Sequence, residues 1–330
     1  MAANPGTQLL PGGLRIFSYK ELSQATRGFS EFEKFGGSSF YRGFLLCHEH
    51  GLQVAIKRVF ISSKTRVKIL EVSLLSELKH RNIAQLIGWC HEADELLLVY
   101  EFSTKGSLRD HLYSSGSILT WPIRYKIILG VGDALLYLHR QWSSVVVHGN
   151  IKPSSVMLDS SFNARLGDFG LAGMTESTEY DSMVVLGTIG YISPELASGH
   201  MLRFTTETDV YSFGVLLLEL ASGRPPILRG EHQDRDRVNL VWWVWKLYGR
   251  GALLDAADPG LHGEFDADQM ERALIVGLWC VHEDYRDRPS MNQAMTALRH
   301  LEDPPPQLEL PSDIAAGQEL TTTSDDESVQ

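Results

Sequence analysis

The chain has 330 residues, 43% of them hydrophobic and 22% charged, which suits a globular protein with a full core, as one large domain or two packed lobes. The formal net charge is −11, but eight of the 41 acidic residues lie from Glu302 onward, where there is no Lys or Arg. The remainder is nearly neutral, which excludes a broad basic surface for nucleic acid, and its best apolar run, Val215-Leu216-Leu217-Leu218, is broken by Glu219 far short of a membrane span. No basic-then-apolar leader opens the chain and Ala2 follows Met1, so neither a signal peptide nor myristoylation is expected. Cys47, Cys90 and Cys280 are far apart and odd in number, which suits reduced thiols in a reducing compartment.

Residues 1–13 hold Pro5, Gly6, Pro11, Gly12 and Gly13 and read as a loose arm. Ser18 with Glu21 three residues on has capping-box spacing and predicts a short helix near 19–27. The run Phe35-Gly36-Gly37-Ser38-Ser39-Phe40-Tyr41-Arg42-Gly43 has two readings. One is a plain hairpin turn; the other is a loop whose glycines let backbone N–H groups approach a phosphate. Cys47, His48 and His50 lack a second ligand pair nearby and read as a surface loop between strands rather than a zinc site. Gln53 to Val59 alternates as a strand, with Lys57 either solvated or aimed at a phosphate. Lys64 to Lys79 predicts a helix with Val67, Leu70, Leu74 and Leu78 on one face. Glu71 sits at the edge of that face, as a solvated rim residue or as an inward carboxylate that needs a cation. Strands follow at Ile83–Cys90 and Leu96–Phe102, an order that suits a mostly antiparallel sheet with one helix.

Beyond Glu101 the chain reads as mainly helical. Pro122 opens a long helix that buries Ile127, Val131, Leu135 and Leu138. A polar loop over Val147 to Asp159 carries His148, Asn150, Lys152 and Ser155, and Asp168-Phe169-Gly170 follows. Met174 to Ser182, rich in hydroxyls and carboxylates, reads as a mobile loop. Asp209 opens an apolar helix that ends at Gly223. Val238 to Tyr248 carries Trp242, Trp243 and Trp245 without interleaved basic residues, which fits a buried helix better than a base-stacking surface. Asp266 and Ser290 are suitable N-caps for two final helices. After Asp303 come Pro304-Pro305-Pro306 and an acidic end rich in Thr and Ser, read as a disordered, phosphorylatable tail. No internal repeat is present.

Val54-Ala55-Ile56-Lys57, Glu71, LVYEF, HGNIKPSS, Asp168-Phe169-Gly170, GTIGYISPE, DVYSFG and RDRPS fall in the order and spacing of a eukaryotic protein kinase. The segment FSYKELSQATRGFS resembles the stretch just before the kinase domain in plant receptor-like kinases, and HRNIAQLIGWC, TWPIRYKIILGVGDALLYLH and CVHEDYRDRPSM are most similar to the L-type lectin group of them. The resemblance implies an α+β, two-lobed kinase fold: a small antiparallel β lobe with one helix over 30–102 and a larger, mainly helical lobe over 103–302. An arm with a short helix would precede it in 1–29, and the acidic tail would follow in 303–330. It also implies ATP and Mg²⁺ as ligands. Gly36, Gly37 and Phe40 would lie over the nucleotide, and Ala55 and Met157 would sandwich adenine. Tyr100 fills the gatekeeper position, with Glu101 and Ser103 in the hinge. Lys57 and Glu71 would form an ion pair, Asp168 would hold Mg²⁺, and Lys152 would reach the γ-phosphate. Leu75, Leu86, His148 and Phe169 would stack as a spine, and Arg288 would pair with Glu195.

The departures from the pattern concentrate on the chemistry. Asn150 stands where the proton-accepting Asp is expected, and losing a positioned base costs ~10²–10⁴-fold in rate. Ser155 stands where an Asn should hold the second Mg²⁺ and is too short to place its oxygen there. Gly149 replaces the Arg that receives an activation-loop phosphate, and the glycine loop is about three residues short. Two functions fit. One is a pseudokinase that binds ATP and regulates a protein partner, an active receptor kinase being the implied class. The other is a weakly active Ser/Thr kinase, since loose phosphoryl transfer makes a base less than essential. Neither nucleic-acid binding nor membrane insertion is expected, and the implied location is cytoplasmic, with peripheral attachment to the plasma membrane through a partner.

Overall fold

The structure is a computed structural model that describes residues 14–35, 40–47, 50–60, 72, 75, 77–92, 94–113, 118–141, 144–169, 188–227, 239–311 and 314. The chain forms two compact units, residues 1–115 with 153–167 and residues 116–152 with 168–330. The first carries the sheet and the second is mainly helical, an α+β fold of the expected class.

In the smaller unit, six strands run in the order β1-β5-β6-β4-β3-β2. They are β1 (Arg15–Ile16), β2 (Lys34–Phe35), β3 (Phe40–Cys47), β4 (His50–Phe60), β5 (Leu86–Glu92) and β6 (Glu95–Glu101). All neighbours pair antiparallel except β1, which joins β5 in parallel. That edge strand was not legible in the sequence. It lies so close to β5 that a Cβ on Gly88 would meet the Arg15 carbonyl oxygen at 2.1 Å, so only glycine fits there.

Helix α1 (Tyr19–Ala25) starts where the capping box predicts, with Ser18 accepting the Glu21 N–H. Phe17, Leu22 and Phe29 join Tyr41, Val54, Ile56, Leu97 and Val99 in the core on one sheet face. Residues 17–29 pack onto this unit, because their apolar side chains cover a sheet face that would otherwise meet water. The helix expected over Lys64–Lys79 falls largely outside the described residues. Val72, Leu75 and Glu77 are helical, and Leu75 is buried.

The expected division after Phe102 is not where the compact units part. The hairpin of β7 (Val156–Leu158) and β8 (Ala164–Leu166) joins the smaller unit. Lys105 N–H donates to Leu158 O, Leu158 N–H donates to Gly106 O, and Ser107 bridges Met157. These bonds also tie the 103–107 segment and the short α2 (Leu108–Tyr113) to the sheet side.

In the larger unit, α3 (Trp121–Leu136) has Pro122 in its first turn, as predicted, and ends in a π turn over Tyr137–Gln141. The short α4 (Pro194–Ala197) precedes α5 (Thr206–Ser222), which is capped by Gly223 at φ 67°. Then come α6 (Leu240–Gly249), α7 (Ala267–Cys280) and α8 (Met291–Arg299), with Asn239, Asp266 and Ser290 as side-chain N-caps. Helices α5 and α7 meet through glycines. A Cβ on Gly214 would lie 2.6 Å from Cys280 Cβ and 2.8 Å from the Gly277 oxygen. Gly214→Ala should therefore force the helices apart and cost about 1–3 kcal/mol, read as a lower melting temperature. An unchanged melt would refute this close packing.

Two expectations need correction here. Of the three tryptophans on α6 only Trp245 is buried; Trp242 and Trp243 are half-exposed. The Lys246 ammonium lies over the Trp242 ring and the Arg224 guanidinium over Trp243, so cation–π contact replaces burial. The tail is also packed at its start. The Tyr248 hydroxyl bonds both the N–H and the carbonyl of Leu308, and Ile314 is 4% exposed. Apolar residues after the proline run therefore extend the fold past 302, and most of the acidic end lies outside the described residues. Among the described residues, no helix is long and apolar enough to cross a membrane.

Candidate functional site

In the larger unit, the loop beginning at Val147 is held from below by Asp209, in the first turn of α5 and 1% exposed. Its carboxylate accepts the N–H of His148 (2.7 Å) and of Gly149 (2.8 Å), and His139 Nε2 lies 3.0 Å away. A buried carboxylate persists only where donors of this kind surround it. His139 comes from the π turn that ends α3, an irregularity often found at functional sites. Neither residue was singled out for this role from the sequence. The signal that could have found Asp209 is a carboxylate leading an otherwise apolar helix.

Gly149 has φ 72°, a left-handed conformation. An L residue would cost about 1–2 kcal/mol there. Glycine thus removes both the guanidinium of the resembled pattern and that strain. His148 is fully buried; its Nδ1 accepts the Asn150 N–H (3.2 Å), so that nitrogen carries no proton. Its ring packs on Phe169, with centroids 4.7 Å apart.

The Asn150 side chain points at Asp168: Nδ2 donates to Oδ2 at 2.8 Å. A carboxylate only accepts, so the amide must present its nitrogen. Asp168 sits at φ 63°, a region Asp visits at lower cost than most residues. Lys152 Nζ donates to Thr188 Oγ1 at 2.8 Å. The expected Arg288–Glu195 pair is present and bidentate, at 2.7 and 2.8 Å. Burial raises the Glu195 pKa, but the Arg288 hydrogen bonds and charge, together with hydrogen bonds from the Glu195 backbone and Ser193, outweigh it and hold the carboxyl below its usual range. The Tyr211 ring lies against Arg288, and burial pushes its phenol up to about 12.

In the smaller unit, Lys57 lies in β4, 7% exposed, opposite Phe40 on β3 and Leu98 on β6. Ala55 lies opposite Tyr100. Side chains alternate along a strand, so Phe40, Ala55, Lys57 and Tyr100 share the face opposite the α1 core. Met157 is buried in β7, and Ser155 is 1% exposed, its carbonyl accepting the Gly167 N–H at 2.8 Å. Glu101 is already committed: its N–H donates to Gln85 O, and its carboxylate accepts from Arg165 at 2.7 Å. The Ser103 carbonyl closes a turn with the Gly106 N–H. Gly36, Gly37 and Glu71 lie outside the described residues, as does the segment expected to be a mobile loop at 174–182.

A family model described as protein kinase domain matches residues 29–298. The chain is 46% identical over 303 residues to the L-type lectin-domain containing receptor kinase IX.1 of Arabidopsis thaliana, across 90% of this chain and 46% of that protein. It is 44% identical over 311 residues to the probable L-type lectin-domain containing receptor kinase S.7 of the same plant, covering 91% and 45%. With kinase VIII.1 of that group it shares 45% identity over 293 residues, covering 86% and 40%. The chain thus spans less than half the length of these relatives. On the matched domain and on these identities, the chain belongs to the protein kinase domain family, closely related to the plant L-type lectin receptor kinases.

Proposed function

We propose that this chain is a pseudokinase, a kinase-fold signalling protein that regulates a protein partner rather than transferring phosphate. The observation that carries this is the Asn150–Asp168 hydrogen bond of 2.8 Å. An amide cannot take up the proton of an attacking hydroxyl near neutral pH. Here it also spends an N–H on the carboxylate that would face Mg²⁺. Ser155 offers the second metal position only a short hydroxyl. An active receptor kinase is the partner class we favour, and the site of action is the cytoplasmic side of the plasma membrane, reached through that partner.

As ligands, ATP and Mg²⁺ are met by only part of the set. Within the larger unit, Asp168 offers the hard oxygens Mg²⁺ prefers and Lys152 a cation for phosphate; within the smaller unit, Lys57 offers a cation and Ser155 a hydroxyl. One Asp168 oxygen already holds an amide N–H. A second reading, a weakly active Ser/Thr kinase, is favoured by the retention of Lys57, Glu71, Lys152 and Asp168 in the sequence.

Incorporation of labelled γ-phosphate, on the chain itself and on a generic basic protein with Mg²⁺ or Mn²⁺, separates the two. The pseudokinase reading expects the same background in the wild type and in Lys57→Met. Incorporation that disappears in Lys57→Met would make the protein an enzyme. Asn150→Asp then serves as a second arm. A weak kinase should gain ~10²-fold or more from the restored base, whereas a pseudokinase with several defects should gain no transfer.

A further inference from the structure

The sheet face that carries Ala55 and Lys57 is roofed by the protein's own rings. Phe40 on β3 and Tyr100 on β6 flank β4 from opposite sides, and their positions are offset by two residues along the strands. At strand spacings near ~4.8 Å and a rise of ~3.3 Å, their backbones stand roughly 12 Å apart. Their ring centroids are 6.3 Å apart. Both side chains therefore lean inward across β4, over the stretch from Ala55 to Lys57. Phe35 extends the cluster, 6.1 Å from Phe40 and 5.8 Å from Phe102. The packing is close, leaving Phe40 8% and Tyr100 3% exposed. The Lys57 ammonium stands 5.9 Å from the Phe40 ring, so the ring face attracts the cation that a phosphate would otherwise engage.

We infer that Phe40 closes the base-binding face of the smaller unit, so that a purine nucleotide enters only by displacing this ring. The inference rests on the kinase-type assignment of Ala55 and Lys57 to nucleotide binding, and it concerns binding rather than transfer. Adenine stacks as a flat plate on a small side chain such as Ala55, and it needs a slot about as deep as an aromatic ring. Here that slot holds a phenyl ring. Pushing a buried phenylalanine into water should weaken binding on the order of 10- to 100-fold.

The test is a titration of the full chain with a fluorescent methylanthraniloyl-ATP, competed with unlabelled ATP, with and without Mg²⁺. Wild type, Phe40→Val and Phe40→Leu are compared, with circular dichroism melts as folding controls. We expect the Kd of Phe40→Val to be at least tenfold lower than that of the wild type. Phe40→Leu, closer in volume and without the flat ring, should shift the same way and serves if the valine variant does not fold. Equal Kd values, or tighter binding by the wild type, would mean that Phe40 is a stacking platform and would overturn the inference. Absence of binding in all three proteins would overturn it too, since something other than Phe40 would then close the site. The transfer assay, run in parallel, separates the two readings. A valine variant that binds without transferring supports both; one that binds and transfers supports the closed face and refutes the account in which Asn150 blocks transfer.

Discussion

Arg288→Met should destabilise the larger unit by about 3–5 kcal/mol at neutral pH, the usual consequence of leaving one charge of a buried pair without its partner. The Arg288 guanidinium is 0% exposed in its side chain and Glu195 9%. Besides the two bonds to Glu195, it donates to the carbonyls of His282, Glu207 and Glu283. Methionine fills the volume but leaves those acceptors and the carboxylate stranded.

The pH dependence gives a sharper check. In the wild type the Glu195 pKa is lowered below its ordinary 4.5, so the pair's contribution is complete above about 4.5 and is lost as pH falls through the lower folded value. In the variant, burial acts without the guanidinium and the carboxyl pKa rises from its wild-type position. Protonation then relieves the variant, and the stability gap to the wild type should narrow as pH falls toward 4.5. Urea melts between pH 7 and 4 would show this, and a gap that stays constant would refute the account.

Asp209→Ala should cost a similar amount, about 3–5 kcal/mol. It orphans the buried N–H of His148 and the partly buried N–H of Gly149 and removes the partner of His139, at about 1–3 kcal/mol per stranded group. Asp209→Asn should do little better, since its amide nitrogen would face a donor. Hydrogen exchange gives the local reading. The amides of residues 148–150 should lose protection more than those of the α5 interior. Uniform loss across the helix would mean that Asp209 supports the fold generally and does not anchor the loop.

Much of the framework was legible locally. Ser18 and Glu21 mark the start of α1, Pro122 opens α3, Gly223 ends α5, and Asp266 and Ser290 cap the last two helices. Each signal needs only neighbours within one turn, so spacing alone exposes it. The replacement of the expected Asp by Asn150 was equally plain, because the surrounding motif fixes its position. The Arg288–Glu195 pair was legible only through the family pattern.

Other features depend on residues brought together from far apart. Trp242 and Trp243 look like core from their composition, yet cations from Lys246 and Arg224 cover them at the surface. The residues after Asp303 look disordered until Tyr248 meets Leu308. Asp209 became an anchor only when α5 was packed under the loop. Phe40 was expected over the nucleotide from the resemblance, but its packing against Tyr100 across β4 was visible only once β4 was paired on both sides. Propensity and capping are local energies and can be read along the chain. Charge burial and ring contacts are settled by packing partners dozens of residues away, so they emerge only in the folded chain.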